Sequence, residues 1–316
     1  MAPADKKADK RRSRADRRAA EEAAAKAAAE KAAKERRQQT TIGIIVVIIV
    51  AALLIGAGTV LYRSWAARHV STEEVSAAYS QLENVKDKPT RADDQGGILF
   101  SKDGYGKKIA KAPTVELYMD PLCPGCGGVN RSLDPTLTKL VEAGQLNLDL
   151  HFMSFMDVSS TDDYSTRAAG AAVYIAEHDD DPAHLMAYLQ NIYAEDFQPG
   201  EASAYEPTGD DKLREQAIKA GVSKDVADKA FDGTYHDWLA AINNYTPKKK
   251  ELWNAQGGFS TPTIRINGKY WSVSDASVAG LDLPTALLKA IGLDENQVGT
   301  STMPSIGAKG EPQSLT

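Results

Sequence analysis

Residues 114–126 read TVELYMDPLCPGC and contain Cys123 and Cys126, the only two cysteines in 316 residues. The β-branched and aromatic run TVELYMD predicts a strand over 114–120. It leads straight into the cysteines, and Pro124 stands at a first helical position, where a missing N–H costs nothing. A strand that ends on C-P-G-C and turns at once into a helix leaves few folds open. Beyond it, DPTLTKLVEAG sets Leu137, Leu140 and Val141 at helical spacing with Gly144 as a stop, and Pro135 predicts a break or kink. QLNLDLHFM then alternates Leu146, Leu148, Leu150 and Phe152 with polar residues, the pattern of a strand. Strand, crossover helix and strand make a parallel βαβ unit, for which a right-handed connection is expected.

The flanking sequence extends this unit. ILFS at 98–101 predicts a short strand, followed by the turn signal KDGYG. Residues from about 160 to 256 turn helical, in the separable pieces STRAAGAAVYIAEH, PAHLMAYLQNIYAEDF, DDKLREQAIKAG and SKDVADKAF. Leu185, Met186, Leu189, Ile192 and Tyr193 share one stripe and are expected in the core. TPTIRINGKYWSVS predicts two short strands around Asn267-Gly268, a type I′ hairpin signal, and DLPTALLKAIG predicts a closing helix. The expected fold class is α/β, a small mixed sheet flanked by helices with a helical insertion.

Outside that domain the chain changes character. Residues 1–40 hold 13 Lys/Arg against 7 Asp/Glu, and the remainder holds 24 against 36. The head is therefore basic and the body acidic, which argues against nucleic acid as a partner of the folded part. TIGIIVVIIVAALLIGAGTVLY, residues 41–62, carries no charge over the roughly 20 residues that span about 30 Å of hydrocarbon. A single transmembrane helix acting as an uncleaved signal anchor is expected there; a cleaved signal peptide is the competing reading, disfavoured by the long leader and the lack of a small-x-small site in YRSWAARHV. Basic residues before the span predict a cytoplasmic N-terminus and an extracytoplasmic body. The alanine-rich head EEAAAKAAAEKAAKERR, helical or disordered, can also meet anionic lipid headgroups. Residues 63–96 read as a stalk or linker, partly helical with Ser71 or Thr72 as cap, 97–292 as the folded domain, and 293–316, rich in Gly, Ser and Pro, as a disordered tail.

Three readings of the cysteine pair compete. As a staple it is weak, because closing so short a loop gives about 2 kcal/mol in the chain-entropy formula, against roughly 4.7 for a 100-residue loop. As half of a zinc site it lacks a second cysteine pair, and His69, His151, His178, His184 and His236 are scattered along the chain, each expected at the surface or half-buried rather than as a ligand. As a reactive pair it is well placed: free N–H groups and the dipole at a helix start favour a Cys123 thiolate, while Cys126, one turn further in, suits the resolution of a mixed disulfide.

YMDPLCPGC, followed much later by FSTPTIRING, resembles the thioredoxin superfamily. The long helical stretch between Cys126 and Thr261 makes residues 97–292 similar to the membrane-anchored DsbA-like thiol-disulfide oxidoreductases of bacteria. The resemblance implies Cys123 as nucleophile and Cys126 as resolving cysteine, with Pro124 and Gly125 tuning the pair. It implies Pro262 as a cis-proline, Thr261 as the residue whose backbone pairs with a client peptide, and no cofactor beyond a redox-active Cys123–Cys126 disulfide. Partners implied are unfolded or extended exported proteins and a membrane reoxidant of the DsbB or vitamin-K-epoxide-reductase type. The family's buried carboxylate six residues before the first cysteine is replaced by Leu117, and Glu116 should point to the opposite face of its strand. The dipeptide Pro-Gly lacks the imidazole of the strongly oxidising Pro-His pair. The expected activity is disulfide formation in exported proteins. A reductase or isomerase, and a binding or assembly module with a static disulfide, are the alternatives.

Overall fold

A computed structural model describes residues 70–315. The basic head, the apolar run 41–62 and the first residues of the expected stalk lie outside the described residues. Among the described residues, no helix is long and apolar enough to cross a membrane.

The sheet has six strands in the order β2-β1-β4-β3-β5-β6. These are β1 (Gly97–Ser101), β2 (Gly104–Tyr105), β3 (Thr114–Met119), β4 (Asn147–Phe152), β5 (Thr263–Ile266) and β6 (Lys269–Trp271). β3 and β4 run parallel, joined by helix α2 (Pro124–Glu142), and every other pairing is antiparallel. The turn between β5 and β6 has Asn267 and Gly268 at φ 50° and 76°, the left-handed pair that a type I′ turn requires.

Strand alternation sorts the two faces. Val115, Leu117 and Met119 of β3 lie in register with Leu148, Leu150 and Phe152 of β4, and Ile264 and Ile266 of β5 continue the apolar layer. The closing helix α9 (Leu283–Ile291) packs against α2 on this core. The opposite face is polar but also buried. There Glu116 pairs with Arg265 at 2.8 Å, and the Tyr118 ring stacks on His151 with centroids 4.0 Å apart. His151 is thus interior rather than half-buried, and burial followed by the charges of Lys249 and Arg265 holds it neutral, its pKa pushed down to about 3.

The insertion consists of α3 (Tyr164–His178), α4 (Pro182–Ile192), α5 (Asp210–Lys219), α6 (Lys224–Lys229) and α7 (His236–Tyr245). Leu185, Met186, Leu189, Ile192 and Tyr193 are all buried. The short α8 (Val273–Val278) follows the hairpin.

Three expectations are corrected. The helix after the cysteines is not broken at Pro135: α2 runs through it for 19 residues. Burial of Leu133, Leu137, Leu140 and Val141 along one side outweighs the hydrogen bond that proline cannot make.

Residues 70–96 are not a free stalk. Helix α1 (Thr72–Glu83), closed by a Ser71/Glu74 capping box, buries Ala78 and Leu82 and lies against α7, with Tyr79 and Tyr245 ring centroids 5.3 Å apart. Further on, the Arg91 guanidinium donates to the carbonyls of Ala176 (2.8 Å) and Asp179 (2.6 Å) at the end of α3.

The tail is ordered as well. The fully buried Gln145 amide donates to the Gln297 carbonyl at 2.8 Å and accepts the Gly299 N–H at 2.9 Å. Asn267 donates to the carbonyls of Gly307 (2.9 Å) and Gly310 (2.8 Å), and Leu315 ends the segment buried. Low hydrophobicity is compensated here by side-chain amides supplied from the folded domain.

Truncation after Leu293 should therefore lower the stability of the domain by a few kcal/mol, since it strips partners from a buried amide, at about 1–3 kcal/mol for each unsatisfied group. Urea denaturation of full-length and truncated protein measures this. Coincident transitions would mean that the tail contributes nothing.

Candidate active site

β3 ends at Met119, and Asp120 to Leu122 carry the chain over the sheet edge into α2. Cys123 is the N-cap residue, with extended backbone at φ −65° and ψ 117°, and its sulfur accepts the Cys126 N–H at 3.4 Å. Pro124 occupies the first turn, so no unpaired N–H is wasted there. Both cysteines are free thiols and both are nearly enclosed, Cys123 with 7% of its surface exposed and Cys126 with 2%. The nucleophile is thus more enclosed than the sequence suggested.

The loop before β5 closes over the pair. The Thr261–Pro262 peptide is cis, and the Cys123 thiol donates to the Thr261 carbonyl across 3.4 Å. A Cβ at Gly125 would lie 3.1 Å from Pro262 Cδ and 3.7 Å from Cys123 Sγ, so a side chain there would press on the proline ring and the two loops approach closely. All six residues singled out from the sequence, Cys123, Pro124, Gly125, Cys126, Thr261 and Pro262, meet at one place.

Their electrostatics are unequal. Hydrogen bonding from the Cys126 thiol, then from the Thr261 side chain and the Cys126 N–H, pulls the Cys123 pKa below that of an ordinary thiol against the opposing effect of burial. Burial first, then the hydrogen bond to Cys123 and its charge, push Cys126 far up. One sulfur is prepared to be an anion and its neighbour to stay protonated. Such a pair can attack a disulfide through Cys123 and hold Cys126 in reserve.

Three contributors escaped the sequence reading. Asp120 is fully buried, and its carboxylate accepts the Ser165 hydroxyl (2.6 Å) and the N–H groups of Leu122 (3.0 Å) and Met156 (3.0 Å). Burial dominates these donors and pushes its pKa up to about 7. Gln198, beyond α4, donates to the carbonyls of Pro121 and Cys123, both at 3.0 Å, and so pins the cysteine loop to the insertion. Its amide oxygen would lie 2.0 Å from a Cβ at Gly127, which fits the glycine there. Tyr193 buries its hydroxyl without a hydrogen-bond partner, and the charges of Cys126, Asp120 and Cys123 add to burial in raising its pKa. Of these, only Asp120 offered a signal in the sequence, as the single charge in LYMDPLC. Gln198 and Tyr193 arrive from some 70 residues downstream by folding. Glu116, with its carboxylate on Arg265, faces away from the sulfurs as strand alternation required.

The family profile described as Thioredoxin matches residues 104–279, more than half of the chain. The chain belongs to the thioredoxin family. A 108-residue stretch is 33% identical to the serine/threonine-protein kinase PknE of Mycobacterium tuberculosis, and equally to that of Mycobacterium bovis; it spans 34% of this chain and 19% of those proteins. Among solved structures, reduced DsbA from Mycobacterium tuberculosis is similar at 28% identity and TM-score 0.46, over 58% of this chain and 89% of that one. The disulfide bond oxidoreductase DsbG of the same organism has 26% identity and TM-score 0.46 over 63% and 89%. MdbA, a thiol-disulfide oxidoreductase from Actinomyces oris, has 16% identity and TM-score 0.49 over 71% and 97%.

In the reduced protein, iodoacetamide should modify Cys123 with a midpoint below the ordinary thiol value of about 8.5 and leave Cys126 unmodified. Mass mapping of the alkylated peptide across pH checks this; equal modification of the two sulfurs with an ordinary midpoint would contradict the asymmetry.

Proposed function

We propose that this chain is an extracytoplasmic thiol-disulfide oxidoreductase, held at the cell membrane by the apolar run 41–62, that forms disulfides in exported proteins. The observation that carries the reading is the opposed tuning of the two sulfurs: Cys123 lowered at the N-cap of α2 and Cys126 raised one turn deeper. A purely structural bridge has no use for that difference.

In its oxidised form the pair would be a Cys123–Cys126 disulfide. A client thiolate attacks Cys123 Sγ, the bond to Cys126 breaks, and Cys126 leaves with the electron pair. A second client thiolate then attacks the client sulfur of the mixed disulfide and expels Cys123 as a thiolate, the state its surroundings favour. The client gains a disulfide and the enzyme becomes a dithiol. Thr261 presents its backbone beside Cys123, where an extended client segment can pair with it, and Pro262 closes the other wall of the groove against Gly125. The clients this suits are unfolded or extended chains. Return of the dithiol to the disulfide calls for a membrane reoxidant of the DsbB or vitamin-K-epoxide-reductase type, and the pair itself is the only redox group required.

Cys126→Ala in the full-length protein should accumulate covalent complexes with exported proteins, visible as bands on non-reducing gels that vanish with dithiothreitol, whereas Cys123→Ala should accumulate none. Equilibration of the wild type with glutathione sets the direction. A potential well above the thioredoxin value of roughly −270 mV is expected, and a value near it would make the protein a reductase. Absence of trapped complexes with either variant would overturn the reading as a whole.

A further inference from the structure

The segment that presents Cys123 has few bonds of its own. Pro121 and Pro124 bring no N–H, and the donor that a turn would offer the Pro121 carbonyl, three residues on, is the one that Pro124 lacks. Locally, the Cys123 N–H donates to the Asp120 carbonyl at 3.0 Å and the Gly127 N–H to the Cys123 carbonyl at 3.1 Å. Further support comes from the helical insertion. The Gln198 amide nitrogen donates at 3.0 Å to the Pro121 carbonyl and at 3.0 Å to the Cys123 carbonyl, one on either side of Leu122. Arg131 decides which end of the amide points there: a guanidinium has only donors, so the Gln198 oxygen turns to it at 3.3 Å and the nitrogen turns to the carbonyls. Arg131 is itself tied to the Tyr193 carbonyl at 2.6 Å, at the end of α4. The amide passes directly in front of Gly127, where a Cβ would stand 2.0 Å from Gln198 Oε1 and 2.8 Å from Arg131 Nη1.

We infer that Gln198, oriented by Arg131 and admitted by Gly127, is the positioning residue that holds the Cys123 sulfur against the Cys126 N–H and so sets how strongly the pair oxidises. This deepens the exchange chemistry proposed above and rests on it.

The link runs through the backbone. The Cys126 N–H meets Cys123 Sγ at 3.4 Å, and where that sulfur stands depends on the backbone of residues 122 and 123, which the two carbonyls fix from either end. Without the amide, both carbonyl oxygens lose a donor and the segment can pivot away from the start of α2. The sulfur then loses part of its N–H support, and the thiolate becomes less favourable. A less favourable thiolate means a less stable reduced pair, which is therefore a weaker oxidant. The titratable groups acting on Cys123 are Cys126, Asp120 and Tyr193. All three are kept in the variants below, and every substitution is between uncharged residues, so a shift reports the position of the loop rather than a change of charge.

The test takes two readings on the full-length protein in detergent: the pH midpoint for iodoacetamide modification of Cys123 in the reduced form, and the equilibrium constant with glutathione. Gln198→Ala should raise the midpoint by about 0.7 pH unit, roughly a fivefold loss of thiolate, and make the pair about fivefold less oxidising, or about 20 mV. Gly127→Ala keeps the amide but blocks its passage, and alanine suits a helix interior better than glycine, so this variant should fold and show both shifts. The double variant should match either single one, because the added methyl has no amide left to displace. A thermal melt run alongside shows whether each variant is folded. Unchanged midpoint and equilibrium constant in folded Gln198→Ala, even with a lowered melting temperature, or shifts that add in the double variant, would overturn the inference while leaving the exchange reading intact. A wild type that never equilibrates with glutathione would overturn both.

Discussion

The site depends on one junction, where strand β3 gives way to helix α2 and the thiol of Cys126, the Thr261 side chain and the N–H of Cys126 converge on the sulfur of Cys123. An unpaired N–H at a helix start, together with the dipole behind it, favours an anion by about 0.3–1 kcal/mol at the surface and up to about 2 when partly buried. About 1.4 kcal/mol is one pH unit, so a contribution of this size is enough to make a thiol into a nucleophile near neutrality. The same enclosure acts against Cys126: the Asp120 N–H directed at its sulfur does not offset burial, and its charged form would sit beside another anion. The asymmetry therefore follows from position along one helical turn together with the Cys126 and Thr261 side chains that hydrogen-bond Cys123.

The domain is built to hold that junction still. Leu133, Leu137 and Leu140 anchor α2 in the core, Gln198 ties the carbonyls of Pro121 and Cys123 to the insertion, and the Thr261 carbonyl closes the groove from the other side. The helical insertion thus supports the site directly, with Tyr164, Ser165, Tyr193 and Gln198 all reaching the residues between β3 and α2. The far face of the sheet shows the cost of enclosing polar groups: the Glu116–Arg265 pair is half-buried, the Tyr118–His151 stack is buried, and His151 is kept neutral there.

Where the reading of the sequence went astray, the reason is the same each time. Residues 84–96 and 294–315 are polar and rich in turn formers, which by composition suggests a linker and a disordered end. They are ordered because Arg91, Gln145 and Asn267, far away or on the other side of the pairing, hold their carbonyls or are held by them. Pro135 suggested a break that packing along α2 overrides. Local pattern reports what a segment prefers alone, and side-chain to backbone bonds between distant segments are invisible to it.

The order of the residues by itself determined the strand, the C-P-G-C and the helix that follows, because alternation, proline at a helix start and apolar spacing are all local properties. It also identified Thr261 and Pro262 as the wall opposite the cysteines, through resemblance rather than through any local rule. Only the tertiary structure decided how deeply both sulfurs are enclosed and which carboxylate stands beside them. Asp120 is an ordinary turn residue until β4, α3 and the segment after α4 close around it, and burial is a property of the whole fold.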